Sequence, residues 1–229
     1  MPRPVLALFF RVGLGLALAA PAFAFEPLAF YKALHASPEL SFQEKETAAT
    51  IAAELRDAGY TVTESIGGYG VVGVLENGDG PTVMLRMDMD GLPVKEQTGL
   101  PYASEATATE QDGQAVHVMH ACGHDVHMTV GTATARDLAA RQGEWQGTLV
   151  VIAQPAEERG AGARMMLADG LFEQFPAPDY NLSLHTLATL PAGKVGYVPG
   201  WMMANVDSVD IRLKGVGGHG AYPHAAKDP

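Results

Sequence analysis

The chain has 229 residues, 47% hydrophobic and 18% charged, a balance that supports a buried core and one domain with part of a second. A formal net charge of −11 with no basic cluster excludes nucleic acid and anionic membrane surfaces as expected partners. The single cysteine, Cys122, excludes an internal disulfide and leaves either an unpaired thiol or a metal ligand.

Residues 1–24 read as an export signal. Arg3 and Arg11 sit among the apolar runs Val5–Phe10 and Val12–Ala20, and Ala22-Phe23-Ala24 supplies the small residues that precede a cleavage site. The main apolar run is shorter than the roughly 20 residues a membrane span needs. A mature chain starting at Phe25, with no membrane attachment after cleavage and a periplasmic or secreted location, is expected. Ser41-Phe42-Gln43-Glu44 has the form of a capping box, with Ser41 as N-cap. The helix it opens carries Ala48, Ile51, Ala52 and Leu55 on one face, and Gly59 stops it. Tyr60–Thr63 and Val71–Leu75 read as short strands, followed by turn signals at Asn77-Gly78 and Asp79-Gly80.

Thr82–Arg86 is a further apolar strand, ending in Asp88-Met89-Asp90. The spacing of Val126, Val130, Thr134 and Leu138 predicts a helix over 124–141 with those residues as its apolar stripe. Thr148–Ala153 is a β-branched run suited to a buried parallel strand, broken by Pro155 before Glu157-Glu158. A short helix over Ala161–Ala168 stops at Gly170, and a strand over Asn181–Leu184 ends at His185. Strands alternating with helices predict an α/β fold with a mostly parallel sheet flanked by helices. Composition changes near Pro199-Gly200. Val206–Leu213 then alternates as an edge-type strand, the expected start of a second domain.

The Asp pair, the Glu pair and His185 each follow the C-terminal end of an apolar strand, the edge where open α/β sheets form ligand crevices. Cys122 and His124 open a helix, where free N–H groups and the dipole favour a thiolate. A thiolate and an imidazole two residues apart suit zinc and similar borderline divalent ions, and anionic ligands offset the charge of a metal pair. Cys122 and carboxylates such as Glu158 can provide that charge, with His124 and His185 as nitrogen ligands. Glu157 and Glu158 are adjacent and diverge on a loop, so one can bind metal while the other acts as base. Of Asp88 and Asp90, one can orient a ligand histidine; a salt bridge or a turn cap is equally open for the other. His117, His120 and His127 are weaker candidates that a loop or helix can leave solvated. His219, between glycines, can approach an oxyanion closely.

The motifs MLRMDMDGLP (84–93), HACGHD (120–125), QPAEE (154–158), LH at 184–185 and GVGGHGAYPH (215–224) resemble the amidohydrolase branch of the metallopeptidase family. That branch includes hippurate hydrolase, N-acyl-amino-acid amidohydrolases and plant auxin-conjugate hydrolases. The resemblance implies a zinc-exopeptidase-like catalytic domain interrupted by an α+β lid that mediates homodimerisation. It implies that Cys122 bridges two divalent ions, zinc or manganese with cobalt or nickel as alternatives, and that His124, Glu158 and His185 ligate them. Glu157 is then the general base and Asp90 the acid that supports the site, the two forming the catalytic set. His219 corresponds to a lid histidine that steadies the tetrahedral intermediate.

The organisation expected from this is a signal over 1–24, the N-terminal part of a catalytic domain over 25–200, and the beginning of a lid over 201–229. Family members continue beyond this length to a last metal-ligating histidine. The sequence is therefore read as a C-terminally truncated fragment, expected to be inactive alone. The expected activity of the intact protein is hydrolysis of the amide of an N-acyl amino acid or dipeptide. The competing reading is a non-catalytic metal- or ligand-binding protein of the same fold. Arg159, after the Glu pair, departs from the small residue common in relatives; it either alters the pKa of the base or faces solvent.

Overall fold

Pro27 at the first turn, with φ already set for a helix, opens α1 (Pro27–Ala36). The structure is a computed structural model that describes residues 25–227 except 205, 208 and 210; the expected export signal lies outside those residues. Helix α2 spans Lys45–Asp57, and it does not begin with the capping box expected of Ser41. Glu39 does that work, accepting the Thr47 and Glu46 amides at 2.7 and 3.2 Å. Gly59 ends the helix as expected, at φ 93°.

Strands β1 (Thr61–Ile66), β2 (Gly70–Asn77) and β3 (Thr82–Asp88) follow, then a hairpin of β4 (Thr107–Thr109) and β5 (Ala115–His117). Helix α3 (His124–Ala140), a 3-10 turn at Gln142–Glu144, strand β6 (Gly147–Gln154), helices α4 (Gly162–Ala168) and α5 (Leu171–Gln174), and strand β7 (Tyr180–Ser183) come next. The main sheet has the order β1-β2-β6-β3-β7. Strands β3, β6 and β7 are mutually parallel, whereas β2 runs antiparallel to both β1 and β6. The sheet is thus mostly parallel in strand direction, with β2 reversed. The Asn77–Gly80 turn does reverse the chain, but β6 inserts between the two strands that the turn joins.

One face of the sheet carries Val71, Leu75, Met87, Val151 and Ala153 against Ile51, Leu55 and Met128 of α2 and α3. The other carries Val72, Met84, Val150 and Ile152 against Met166 and Leu171 of α4 and α5. Alternation along β2 and β6 supplies both layers at once, which is why these strands read as continuous apolar runs. The stripe predicted on α3 is not its buried face. Val130 and Thr134 are exposed, and the helix instead buries His124, His127, Met128, Gly131 and Ala135.

The chain divides into two compact units meeting at Thr186/Leu187, earlier than the composition change at Pro199-Gly200. In the second unit, Val216 pairs with Lys227 and a 3-10 turn spans Pro223–Ala225. The strand expected over 206–213 is not formed at the described residues of that stretch. Val206, Val209, Ile211 and Leu213 are all exposed there. An alternating segment becomes a strand only when a ladder partner satisfies its backbone, and no described residue pairs with this one.

Candidate metal centre

The parallel strands β3, β6 and β7 deliver three loops to one edge of the sheet, because Asp88 is in register with Gln154, and Arg86 with both Ile152 and Ser183. Asp88-Met89-Asp90, Pro155–Glu158 and Leu184–His185 leave from those C-terminal ends. The N-terminus of α3 brings Cys122 and His124 to the same place. Gly123 makes that junction possible: it sits at φ 82°, and a Cβ there would lie 2.5 Å from Thr186 Oγ1.

His124 is the centre of the arrangement and is fully buried. Its Nδ1 donates to the Asp90 carbonyl at 2.8 Å, which fixes the tautomer. Its Nε2 has no hydrogen-bond partner. Around that atom lie Asp88 Oδ1 at 3.7 Å, Glu157 Oε2 at 3.7 Å and Glu158 Oε1 at 3.8 Å. Glu158 Oε1 is itself buried without a partner. On the other side, Cys122 Sγ is 3.4 Å from His185 Nε2. His185 Nδ1 donates to the Thr186 carbonyl at 2.7 Å, leaving Nε2 free as a ligand atom. Donor atoms of Cys122, His124 and His185 lie within 4.8 Å of one another, as do those of His124, Glu157 and Glu158. Unpartnered nitrogen and oxygen atoms, a thiol and clustered carboxylates at this spacing fit divalent cations.

The electrostatics agree. Burial pushes the Cys122 thiol up to about 12, reinforced by the charge of Glu158, so a nearby cation is what would favour its thiolate. Burial lowers the affinity of His124 for a proton, but the Asp90 hydrogen bond and the charge of Asp88 reverse this and raise its pKa overall. Glu157 is raised by burial first and then by Asp88, with His124 and Arg86 opposing. A carboxylate tuned upward is a better proton acceptor at neutral pH. Arg159 is not what tunes it: its guanidinium pairs with Glu110 at 3.0 Å, with more than half the side chain exposed.

The two aspartates have separate supporting roles. Asp90 Oδ1 accepts the Glu157 amide at 3.1 Å; its Oδ2 accepts the Glu158 amide at 3.0 Å and the Ser41 hydroxyl at 2.6 Å. Both of its oxygens are engaged in holding the Glu157-Glu158 loop. Asp88 accepts from His127 Nδ1 at 2.6 Å and pairs with Arg86 at 2.6 Å. Burial works against its charge, yet the His127 hydrogen bond and the charges of His124 and Arg86 hold it down to about 2.

His127, a weak candidate in the sequence, is an integral part of the site. Its Nε2 accepts the Thr186 amide at 3.0 Å, and its ring packs on that of His185 with centroids 4.5 Å apart. The chain Arg86–Asp88–His127–Thr186 thereby fixes the loop that carries His185. The only sequence signal for it was position: His124 and His127 are three apart, on one face of a helix. Asp125 lies outside the predicted site set and makes a buried contact of its own. It holds the buried His35 at 2.6 Å, and Glu96 takes the other nitrogen of that ring at 3.0 Å. His120 is buried with both ring nitrogens unpartnered, and burial pushes its pKa down to about 4. His117 is exposed on β5. His219 belongs to the second unit, where its Nδ1 accepts the Ala221 amide at 3.1 Å.

Comparison with known proteins follows the same lines. Hippurate hydrolase of Campylobacter jejuni is 44% identical over 197 residues, 86% of this chain and 48% of that protein. N-acetylcysteine deacetylase of Bacillus subtilis is 39% identical over 198 residues, 86% of this chain and 49% of that protein. The chain spans about half the length of the curated relatives it matches. The crystal structure of the Bacillus subtilis YXEP protein, described as a dinuclear metal binding peptidase, has a TM-score of 0.62 at 36% identity, covering 72% of this chain and 43% of that one. Peptidase family M20/M25/M40 matches residues 84–229, a stretch that contains the Asp pair, Cys122, His124, the Glu pair and His185. The chain belongs to peptidase family M20/M25/M40.

Proposed function

We propose that the protein expressed from the whole gene is a metal-dependent hydrolase that cleaves the amide bond of N-acyl amino acids or short peptides. One observation carries this: the buried, unpartnered Nε2 of His124 stands among Asp88, Glu157 and Glu158, beside the Cys122–His185 pair. Cys122, His124, Glu158 and His185 would hold a pair of divalent ions, zinc or manganese with cobalt or nickel as the alternatives. Bound ions supply Lewis acidity to the acyl carbonyl and lower the pKa of the attacking water. Glu157 takes the proton of that water and returns it to the leaving amine. Asp90 keeps Glu157 and Glu158 in place, while His127 keeps His185 in place. His219 of one subunit would steady the tetrahedral intermediate in the active site of the other subunit of a homodimer.

Relatives named hippurate hydrolase and N-acetylcysteine deacetylase support an N-acyl amino acid as the substrate. In this reading residues 25–200 are the N-terminal part of the catalytic domain, and 201–229 open a lid through which the protein dimerises. Residues 1–24 direct it to the periplasm or outside the cell. The experiment is Glu157→Ala in the protein expressed from the whole gene, assayed on N-acetyl and N-benzoyl amino acids with zinc or manganese. Turnover should fall by about 10²–10⁴-fold, the usual worth of a positioned base. Metal content by elemental analysis should match the parent protein. Undiminished turnover would refute Glu157 as the base.

A further inference from the structure

The residues that read in the sequence as a capping box, Ser41 and Glu44, do not cap a helix, and both face the metal centre's supporting structure instead. We propose that Glu44 is a positioning residue for the reaction: with Asp90 it anchors three successive amides of the Ala156–Glu158 loop and so sets where Glu157 and Glu158 stand. This rests on the reading of Glu157 as base and Glu158 as ligand.

Glu44 is completely buried. Its Oε1 accepts the Ala156 amide at 2.7 Å. The next two amides, of Glu157 and Glu158, go to Asp90 at 3.1 and 3.0 Å. Ser41, three residues before Glu44, donates its hydroxyl to the same Asp90 carboxylate at 2.6 Å. One short loop thus supports both carboxyls that hold the Glu pair.

The need for such an anchor follows from the backbone. The ladder between β3 and β6 extends through Asp88 and Gln154, and the last carbonyl of β6 is taken by Met89 at 3.1 Å. Beyond it Ala156 turns to φ 46°, a left-handed conformation that a residue with a Cβ adopts only when its surroundings hold it there. Its amide, buried and past the end of the ladder, requires an acceptor from elsewhere. Its carbonyl accepts the Ala161 and Gly162 amides at 3.2 Å each, tying the loop to the start of α4. Glu44 is the remaining tie. Its second oxygen, Oε2, has no partner, so helix capping does not account for the carboxyl. Burial pushes that carboxyl up to about 7 against the pull of the Ala156 amide, and in either protonation state one oxygen remains an acceptor.

The test uses the protein expressed from the whole gene, with cobalt(II) as probe. Cobalt affinity is read from the thiolate-to-metal absorption of Cys122, and kcat and KM are measured on an N-acetyl amino acid. Cys122→Ser is the control for the band, and circular dichroism confirms that each variant folds. Glu44→Ala should weaken cobalt binding or lower kcat by about 10–100-fold, the usual effect of losing a group that orients a metal ligand, with KM little changed. Glu44→Gln, which keeps an acceptor for the Ala156 amide, should restore most of the loss. Ala156→Gly in the Glu44→Ala background should also recover activity, because glycine takes the left-handed conformation without being held. A folded Glu44→Ala protein with parental cobalt affinity and kcat overturns the proposal. So does a Glu44→Gln protein as impaired as Glu44→Ala. If the parent shows no thiolate band, the reading of the metal centre itself fails, and the role of Glu44 falls with it.

Discussion

At the scale of single residues, Glu44 is unusual in being an ionisable side chain with no solvent exposure and one oxygen left without a partner. Burial is the main reason its carboxyl rises from 4.5 to about 7. Between those pH values the folded protein keeps a proton that the unfolded chain has already released. Stability attributable to Glu44 therefore falls as pH rises from 4.5 through 7, and it stays low above that. The full span of this shift corresponds to about 3 kcal/mol. Glu44→Gln cannot titrate, so its stability relative to the parent should improve on going from about pH 5 to about pH 8. Urea unfolding at both pH values checks this; an identical difference at the two would show that the carboxyl titrates as an ordinary exposed one does.

At the scale of elements, the strands and their site-bearing ends were legible because long apolar runs and their polar terminators are local features. The strand Thr148–Ala153, read as buried and parallel, is β6, central in the sheet and parallel to β3. Its antiparallel pairing with β2 was not legible. The turn signals at Asn77–Gly80 report a change of direction, whereas the insertion of β6 beside β2 depends on residues about seventy positions away. The buried face of α3 departs from the predicted stripe for a different reason. Val126, Val130 and Leu138 are the conspicuous apolar residues, but the inward face of α3 is given over to His124 and His127 at one end and to Met128, Gly131 and Ala135 beneath them. Gly131 permits that packing, since a Cβ there would lie 2.7 Å from Met87 Sδ. Histidines of the candidate site thus occupy the buried face, at positions outside the apolar stripe that periodicity picks out. The two faces should separate cleanly in stability measurements. Met128→Ala should cost about 2–5 kcal/mol, while Val130→Ala, at an exposed position, should stay within about 0.5 kcal/mol. Comparable losses at both positions in urea unfolding would contradict the orientation of α3.

At the scale of the whole molecule, the candidate ligand set joins segments far apart in the chain. Cys122 and His124 come from the start of α3, the Glu pair from the end of β6, and His185 from the end of β7. A cation bound to them would connect parts of the fold that unfolding separates, and it would offset carboxylates clustered in a chain of net charge −11. Binding that requires this assembled geometry stabilises the folded state by mass action, by about 2.7 kcal/mol at a free metal concentration a hundred times the dissociation constant. For a protein of this size that corresponds to a rise of about 5–10 °C in unfolding temperature. Zinc or manganese should produce such a rise, EDTA should reverse it, and Cys122→Ser should diminish it. Exchanging Arg141, in an exposed ion-pair cluster with Asp137 and Glu144 on the far end of α3, should leave the metal-dependent increment intact. Differential scanning calorimetry with and without chelator measures all four. An unfolding temperature indifferent to metal, or an increment lost equally in the Arg141 variant, would mean that these segments are held together by their own packing and hydrogen bonds and not by a shared cation.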